Sequence, residues 1–456
     1  MKGISLELKR DATLIEWTIK RGLPPKKVRI PLSLTGEKTS RSVVCNGQRV
    51  EIGQKIAEAD GEGSVAVHAS LAGRVSAIGL FPHAEFGRVP AVEIEAEGDS
   101  LPGFAAVQTR VRWEDLDSGA LADIFHNSGL IEMGTPVCPL ADKVRDDAAG
   151  KIQTVLINAC ESEPYITSGH SLILTHPMEI LKGTEILRRG TGARKAVIVC
   201  LNHQLDAAEI LRSKIFFLKW KHLEIKVLPS LYPQGHPALL LSRYSKPGLP
   251  EIIAGFQCES SVYHLATCYA VYEAVVHQKP FYERAVTVGG ECVFEPRNIW
   301  ARIGTSAEDL IKSCKGLLRE PEKVLFGGPM TGIEIGDRSM PLTPGTQGLL
   351  ALPKEVTEEK KEEPCIRCGE CVDSCPSGIS PVMITLAAEQ KLFSVAREYG
   401  AEQCIGCGNC QFVCPSKRPM MDLINEVLLN FQGSFRKPGD RYNFTVKKRA
   451  PEAVIL

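Results

Sequence analysis

The chain has 456 residues, which at roughly 150 residues per domain points to about three domains. Its 54 basic and 54 acidic residues cancel, which excludes the positive surplus of a general nucleic-acid binder. Hydrophobic residues make up 44% and charged residues 24%, enough apolar material for several cores, which excludes chain-wide disorder.

No apolar run approaches the ~18 residues of a membrane span, so we expect no transmembrane segment in this chain. The opening MKGISLELKRDATLIEW lacks the apolar stretch of an export signal, so the expected site is cytoplasmic. Residues 1–24 read as irregular. Residues 25–104 carry short alternating strands and glycine turns. Residues 112–276 read as α/β: Thr154–Asn158, Lys195–Cys200 and Leu223–Leu228 are strand-like, and Pro177–Arg189 and Leu205–Lys219 helix-like. That alternation predicts βαβ units around a parallel sheet. Ser261–Val276 reads as a further helix.

Residues 281–336 form a small α+β module, with Thr305 or Ser306 as a helix cap. Residues 354–363 (KEVTEEKKEE) hold eight charges in ten positions and read as a solvated linker. Residues 364–430 carry the cysteine-rich segment described next. In the tail, 431–456, Gly433–Arg449 has six basic residues and one acidic residue, a local surplus suited to an anionic membrane surface or an acidic partner.

Cysteines number 16. Eight are scattered (Cys45, Cys138, Cys160, Cys200, Cys258, Cys268, Cys292, Cys314) and read as buried free thiols. The other eight lie in CIRCGECVDSCP and CIGCGNCQFVCP, each C-x2-C-x2-C-x3-C-P. This is the ferredoxin run for [4Fe–4S] clusters. Three cysteines at two-residue intervals wrap one face of a cubane, with Gly369 and Gly408 giving the loop its freedom. The fourth lies too far round and ligates the other cluster. Cluster one is therefore assigned to Cys365, Cys368, Cys371 and Cys414, and cluster two to Cys375, Cys404, Cys407 and Cys410. Zinc also binds C-x2-C pairs, but tandem four-cysteine runs with a trailing proline argue against it.

Several segments together resemble the C subunit of the Rnf-type ion-translocating electron-transport complex. They are Val67–Ser70, Glu161–Tyr165, Tyr232–Gly235, Glu283–Val288, Gly327–Met330, Gly345–Gly348 and both cysteine runs. The resemblance implies a multidomain α/β and α+β chain. Its parts would be a barrel-sandwich (lipoyl-like) β-domain, a complex-I-flavoprotein-like α/β domain, a soluble-ligand-binding β-grasp (SLBB) domain and a two-cluster ferredoxin-like α-helical domain. The stretch 57–68 lacks the lysine of a lipoyl swinging arm, so His68 reads as structural.

The α/β part is also similar to the NADH-binding flavoprotein subunit of respiratory complex I. That family holds its flavin with a G-R-G-G-A-G-F-P-T-G-x-K loop and an N-A-D-E-S-E-P stretch. The second survives as Asn158–Pro164; the resemblance makes Asn158, Glu161, Glu163 and Lys143 candidate flavin or NADH contacts. The loop, Glu132–Lys143, keeps Gly134 alone of its first four glycines. A phosphate loop presents bare backbone N–H groups to an anion. Pro136 has none to give, Glu132 brings a negative charge, and Val137 resists positive φ. These changes argue against tight FMN binding.

Two [4Fe–4S] clusters are thus the expected cofactors, and FMN is not. The resemblance implies a peripheral electron-transfer subunit on the cytoplasmic face of the cell membrane. Its partners would be the other subunits of a membrane complex and a soluble electron donor or acceptor, with no nucleic acid. The alternative is an NADH-oxidising flavoprotein or corrinoid-reductase module using FMN plus the clusters. A pure docking scaffold would leave the cysteines without a purpose.

Overall fold

The computed structural model describes residues 3–9, 16–34, 38–97, 112–244, 259–357 and 361–432. The basic tail therefore lies outside the described residues, as does Cys258.

The N-terminal β region consists of two small sheets. One orders Lys27–Pro31, Gly87–Ala96, Gly73–His83 and Arg49–Val50, all antiparallel; the other pairs Arg41–Ser42, Lys55–Glu58 and Val67–His68. Val28, Ile30, Ile56, Val75, Val92 and Ile94 fill the space between them. Gly73 is required where two strands press together, since a Cβ there would collide with the Glu95 carbonyl. His68 is buried in its strand, and burial pushes its imidazole down to about 4, which fits the structural role expected of it.

The α/β region is a parallel sheet in the order Leu223–Leu228, Lys195–Leu201, Thr154–Asn158, Ser260–His264. Lys195–Leu201 is buried at every position after the first, as a strand covered on both faces must be. Helices Pro177–Gly190 and Leu265–Val276 cross so closely that a Cβ on Gly183 would run into the Cys268 carbonyl. The expected helix Ser261–Val276 is corrected: Ser260–His264 is a strand paired with Thr154–Asn158, and the helix starts at Leu265. The His264 ring accepts the Ala266 N–H at 3.1 Å and so caps it.

A six-stranded sheet follows, ordered Lys20–Arg21, Arg297–Arg302, Glu283–Gly289, Gly348–Leu352, Lys323–Phe326, Ile333–Glu334. Helix Ala307–Ser313 packs on it, capped by the Ser306 hydroxyl. Gly348–Leu352 is an inner strand, so the expected limit at residue 336 cuts the sheet too early. Nor is all of 1–24 irregular: Lys20–Arg21 extends this sheet, because its backbone completes the free edge of Arg297–Arg302.

In the linker, Lys354–Thr357 makes a helical turn with Thr357 buried, and Glu363 N–H donates to the Ser416 carbonyl at 2.9 Å. The charged side chains of Lys354, Glu355, Lys361, Glu362 and Glu363 are exposed, as a solvated linker requires. The cysteine-rich segment is a small helical unit. Pro381–Glu389, Phe393–Glu398 and Met420–Gln432 enclose Ile384, Ala388, Ala396, Ile424 and Val427.

Of the scattered thiols, Cys200, Cys268, Cys292 and Cys314 are buried as expected, and Cys138 and Cys160 are half-buried. Cys45 is exposed, a correction. It lies on a turn whose N–H donates to the Gln48 side chain, where little else can cover it.

Candidate functional site

The two cysteine runs fold alike. Arg367 and Gly369 flank Cys368 with φ of +55° and +84°; Gly406 and Gly408 flank Cys407 with φ of +68° and +80°. Two left-handed residues around the middle cysteine curl the loop and turn N–H groups inward. Gly406 N–H donates to the Cys404 sulfur at 3.4 Å. Arg367 takes this conformation without being glycine, at a cost of about 1 kcal/mol. Short helices Glu370–Asp373 and Asn409–Val413 then carry each chain to its fourth cysteine.

Those fourth cysteines cross over. A small cavity is lined by Cys404, Cys407 and Cys410 of the second run together with Cys375 of the first. Ile379, Ile405, Met421 and Ile424 supply much of its apolar wall. Cys414 in turn lies near enough to Cys371 for their charges to interact, as does Cys368. Among the described residues no three His, Cys, Asp or Glu side chains close in tightly enough for a single metal ion. The second-run thiols stand round a cavity instead. Burial pushes the Cys407 thiol up to about 12. The Ser377 hydroxyl lines the cavity, buried and without a hydrogen-bond partner. The donor set and the orphaned hydroxyl suit an iron–sulfur cluster.

The runs differ in surroundings. Cys371, Cys375, Cys407, Cys410 and Cys414 are buried and Cys365 and Cys404 half-buried, so the difference rests on Cys368, which is exposed beside Ile366, itself 67% exposed. The second run is packed inward. Ile405 and Cys407 cluster with Tyr232 and Met330, and the Tyr232 hydroxyl donates to the Cys407 carbonyl at 2.7 Å. Sequence reasoning used Tyr232 and Met330 only as family tags. Their contact with the second run is the signal those tags contained.

Asn158, Glu161 and Glu163 lie at and just beyond the C-terminal end of Thr154–Asn158, where open α/β sheets bind ligands, whereas Lys143 reaches Ser261 near the start of Ser260–His264 and is not brought to them. Each, however, is engaged with this chain. Asn158 donates from Nδ2 to the Gly235 carbonyl at 2.7 Å. Glu161 accepts the Gly169 N–H, and Glu163 accepts the Met330 N–H (3.0 Å) and the Thr331 hydroxyl. Lys143 Nζ lies 3.0 Å from the Ser261 hydroxyl and 4.7 Å from the Tyr263 ring centroid. Glu132 is buried, and its Oε1 accepts N–H groups from Gly134 (2.8 Å) and His264 (2.7 Å). Burial pushes this carboxyl up to about 6, while Lys143 and the two N–H groups pull it back.

Three family models match this chain: an RnfC barrel sandwich hybrid domain over residues 1–99, a Nuo51 FMN-binding domain over 125–273, and a 4Fe-4S dicluster domain over 358–415. The C subunit of the Na(+)-translocating ferredoxin:NAD(+) oxidoreductase complex of Acetobacterium woodii is 31% identical, over 92% of this chain and 94% of its own length. The proton-translocating counterpart of Clostridium ljungdahlii is 30% identical, over 82% and 81%. The C subunit of the ion-translocating oxidoreductase complex of Rhodobacter capsulatus is 33% identical, over 78% and 69%.

Proposed function

The chain belongs to the C-subunit family of Rnf-type ion-translocating oxidoreductase complexes, and we propose that it carries electrons for such a complex through two [4Fe–4S] clusters. The cavity lined by Cys375, Cys404, Cys407 and Cys410 supports this most, because it joins one run's fourth cysteine to the other run's first three. Cys365, Cys368, Cys371 and Cys414 would hold the other cluster. When bound, the clusters would supply one-electron transfer.

The chain's own part is to hold, space and shield. Ile379, Ile405, Met421 and Ile424 keep water from the inner site, and Ser377 offers its hydroxyl toward it. Tyr232 pins the inner loop to the α/β region. The inner site then faces the rest of the chain, and the outer one, at exposed Cys368, exchanges electrons with a partner. That partner is a soluble donor or acceptor, or another subunit of the complex. No helix among the described residues is long and apolar enough to cross a membrane. We assign ion movement to other subunits, with this one held peripherally at the cytoplasmic face. We read the six-stranded sheet as the SLBB β-grasp module, running on to Leu352.

The flavoprotein and corrinoid-reductase readings require flavin at residues 132–143, where the geometry opposes it. Anaerobically purified protein should contain about eight irons and eight acid-labile sulfides per chain. Zinc in their place, or fewer than about four irons, would overturn the assignment.

A further inference from the structure

The α/β region matches an FMN-binding family over residues 125–273, so its fit to that group can be tested on its own side chains. Three glutamates close on three glycines: Glu132 on Gly134, Glu161 on Gly169 and Glu163 on Gly328. A Cβ added at any of these glycines would crowd a carboxylate oxygen. The backbone donors of such a site are taken as well. Gly134 and His264 N–H go to Glu132, Gly169 N–H to Glu161, and Met330 N–H to Glu163. His264 caps helix Leu265–Val276, so the Glu132 carboxylate sits at the positive end of a twelve-residue helix. That is where an incoming phosphate would be drawn.

The approach is covered too. Ile4 forms a backbone bridge with Tyr232, and Tyr165 N–H donates to the Leu8 carbonyl at 2.9 Å. Residues 3–9 thus cross the loops that follow two of the parallel strands.

We infer that Glu132 is a built-in anion standing in for a flavin phosphate, and that it excludes FMN from this chain. The exclusion is independent of the cluster assignment, since iron content leaves it untouched.

Two measurements test it. The wild-type chain, purified and titrated with FMN, should contain no flavin and leave FMN fluorescence unquenched. Stoichiometric flavin or saturable quenching overturns the inference. Glu132→Gly should melt several degrees below wild type, and acetate at constant ionic strength should restore part of the loss. Wild type and Glu132→Gln, which keeps the volume and one acceptor oxygen, should not respond to acetate. An acetate-insensitive Glu132→Gly that folds overturns the anion role. If Glu132→Gly does not fold, the wild-type titration decides.

Discussion

The cysteine runs and the flavin-like site each present a ligand set at the place their sequence suggests, yet they treat those side chains in opposite ways. Around Cys404 the thiols face a cavity, the loop is held open by two left-handed glycines, and the Ser377 hydroxyl is left without a partner. Around Glu132 the carboxylates face the chain's own N–H groups. Glu132 Oε1 finds two partners within the chain, although its Oε2 is buried without one, as the Ser377 hydroxyl is. The difference lies in what the side chains face, the thiols a pocket and Glu132 Oε1 two backbone donors.

The largest effect should come from breaking the first half of that contrast. Cys375→Ala removes one ligand of the inner site and should abolish its electron paramagnetic resonance signal while the outer signal survives. Loss of the outer signal instead would show that the ligands do not cross. On the other side, Glu163→Ala strips the acceptor from Met330 N–H and the Thr331 hydroxyl. It should cost about 1–3 kcal/mol in chemical denaturation, as expected for polar groups left buried without a partner. A neutral result would mean that Glu163 is not structural, and would reopen its candidacy as a ligand.

Much of this was legible in the sequence, for a reason that particular residues make plain. The cysteine ligands are local: the spacings within each run lie in short loops, and only the crossing of Cys375 and Cys414 needed the ferredoxin rule. The three-strand core of the parallel sheet was legible because helical and strand stretches alternate. Ser260–His264 was not, because SSVYH runs straight into the apolar LATCYAVYEAVV, and an unbroken apolar run has no period to separate strand from helix. Lys20–Arg21 is too short to carry a pattern. Gly348–Leu352 was missed as part of its sheet because its partner Glu283–Gly289 lies far earlier in the chain. The Glu132 charge was visible, but not its partner His264, which is 132 positions away.

A smaller effect sharpens the link between the two regions. Tyr232→Phe deletes a single hydrogen bond to the Cys407 carbonyl, worth about 1 kcal/mol. The inner cluster's spectrum should change and the outer cluster's should not. Equal change in both would mean that Tyr232 acts on the whole helical unit rather than on the second run.

The subtlest prediction concerns Glu132 and pH. Its carboxyl is pushed from 4.5 up to about 6 by burial, against the pull of Lys143 and two N–H groups. A carboxyl that holds its proton more tightly when folded binds more protons in the native state than in the unfolded one. Its contribution is fully present below pH 4.5 and fades as pH rises to about 6. A rise of that size corresponds to roughly 2 kcal/mol. Glu132→Gln has no proton to exchange, so the difference between wild-type and variant stability should fall across this window and level off above it. A difference that rose with pH would mean that the N–H groups and Lys143 outweigh burial, so that the anion is held at no cost. That result would make the stand-in for phosphate stronger, and would bring the two regions closer to equal in how firmly each holds its charge.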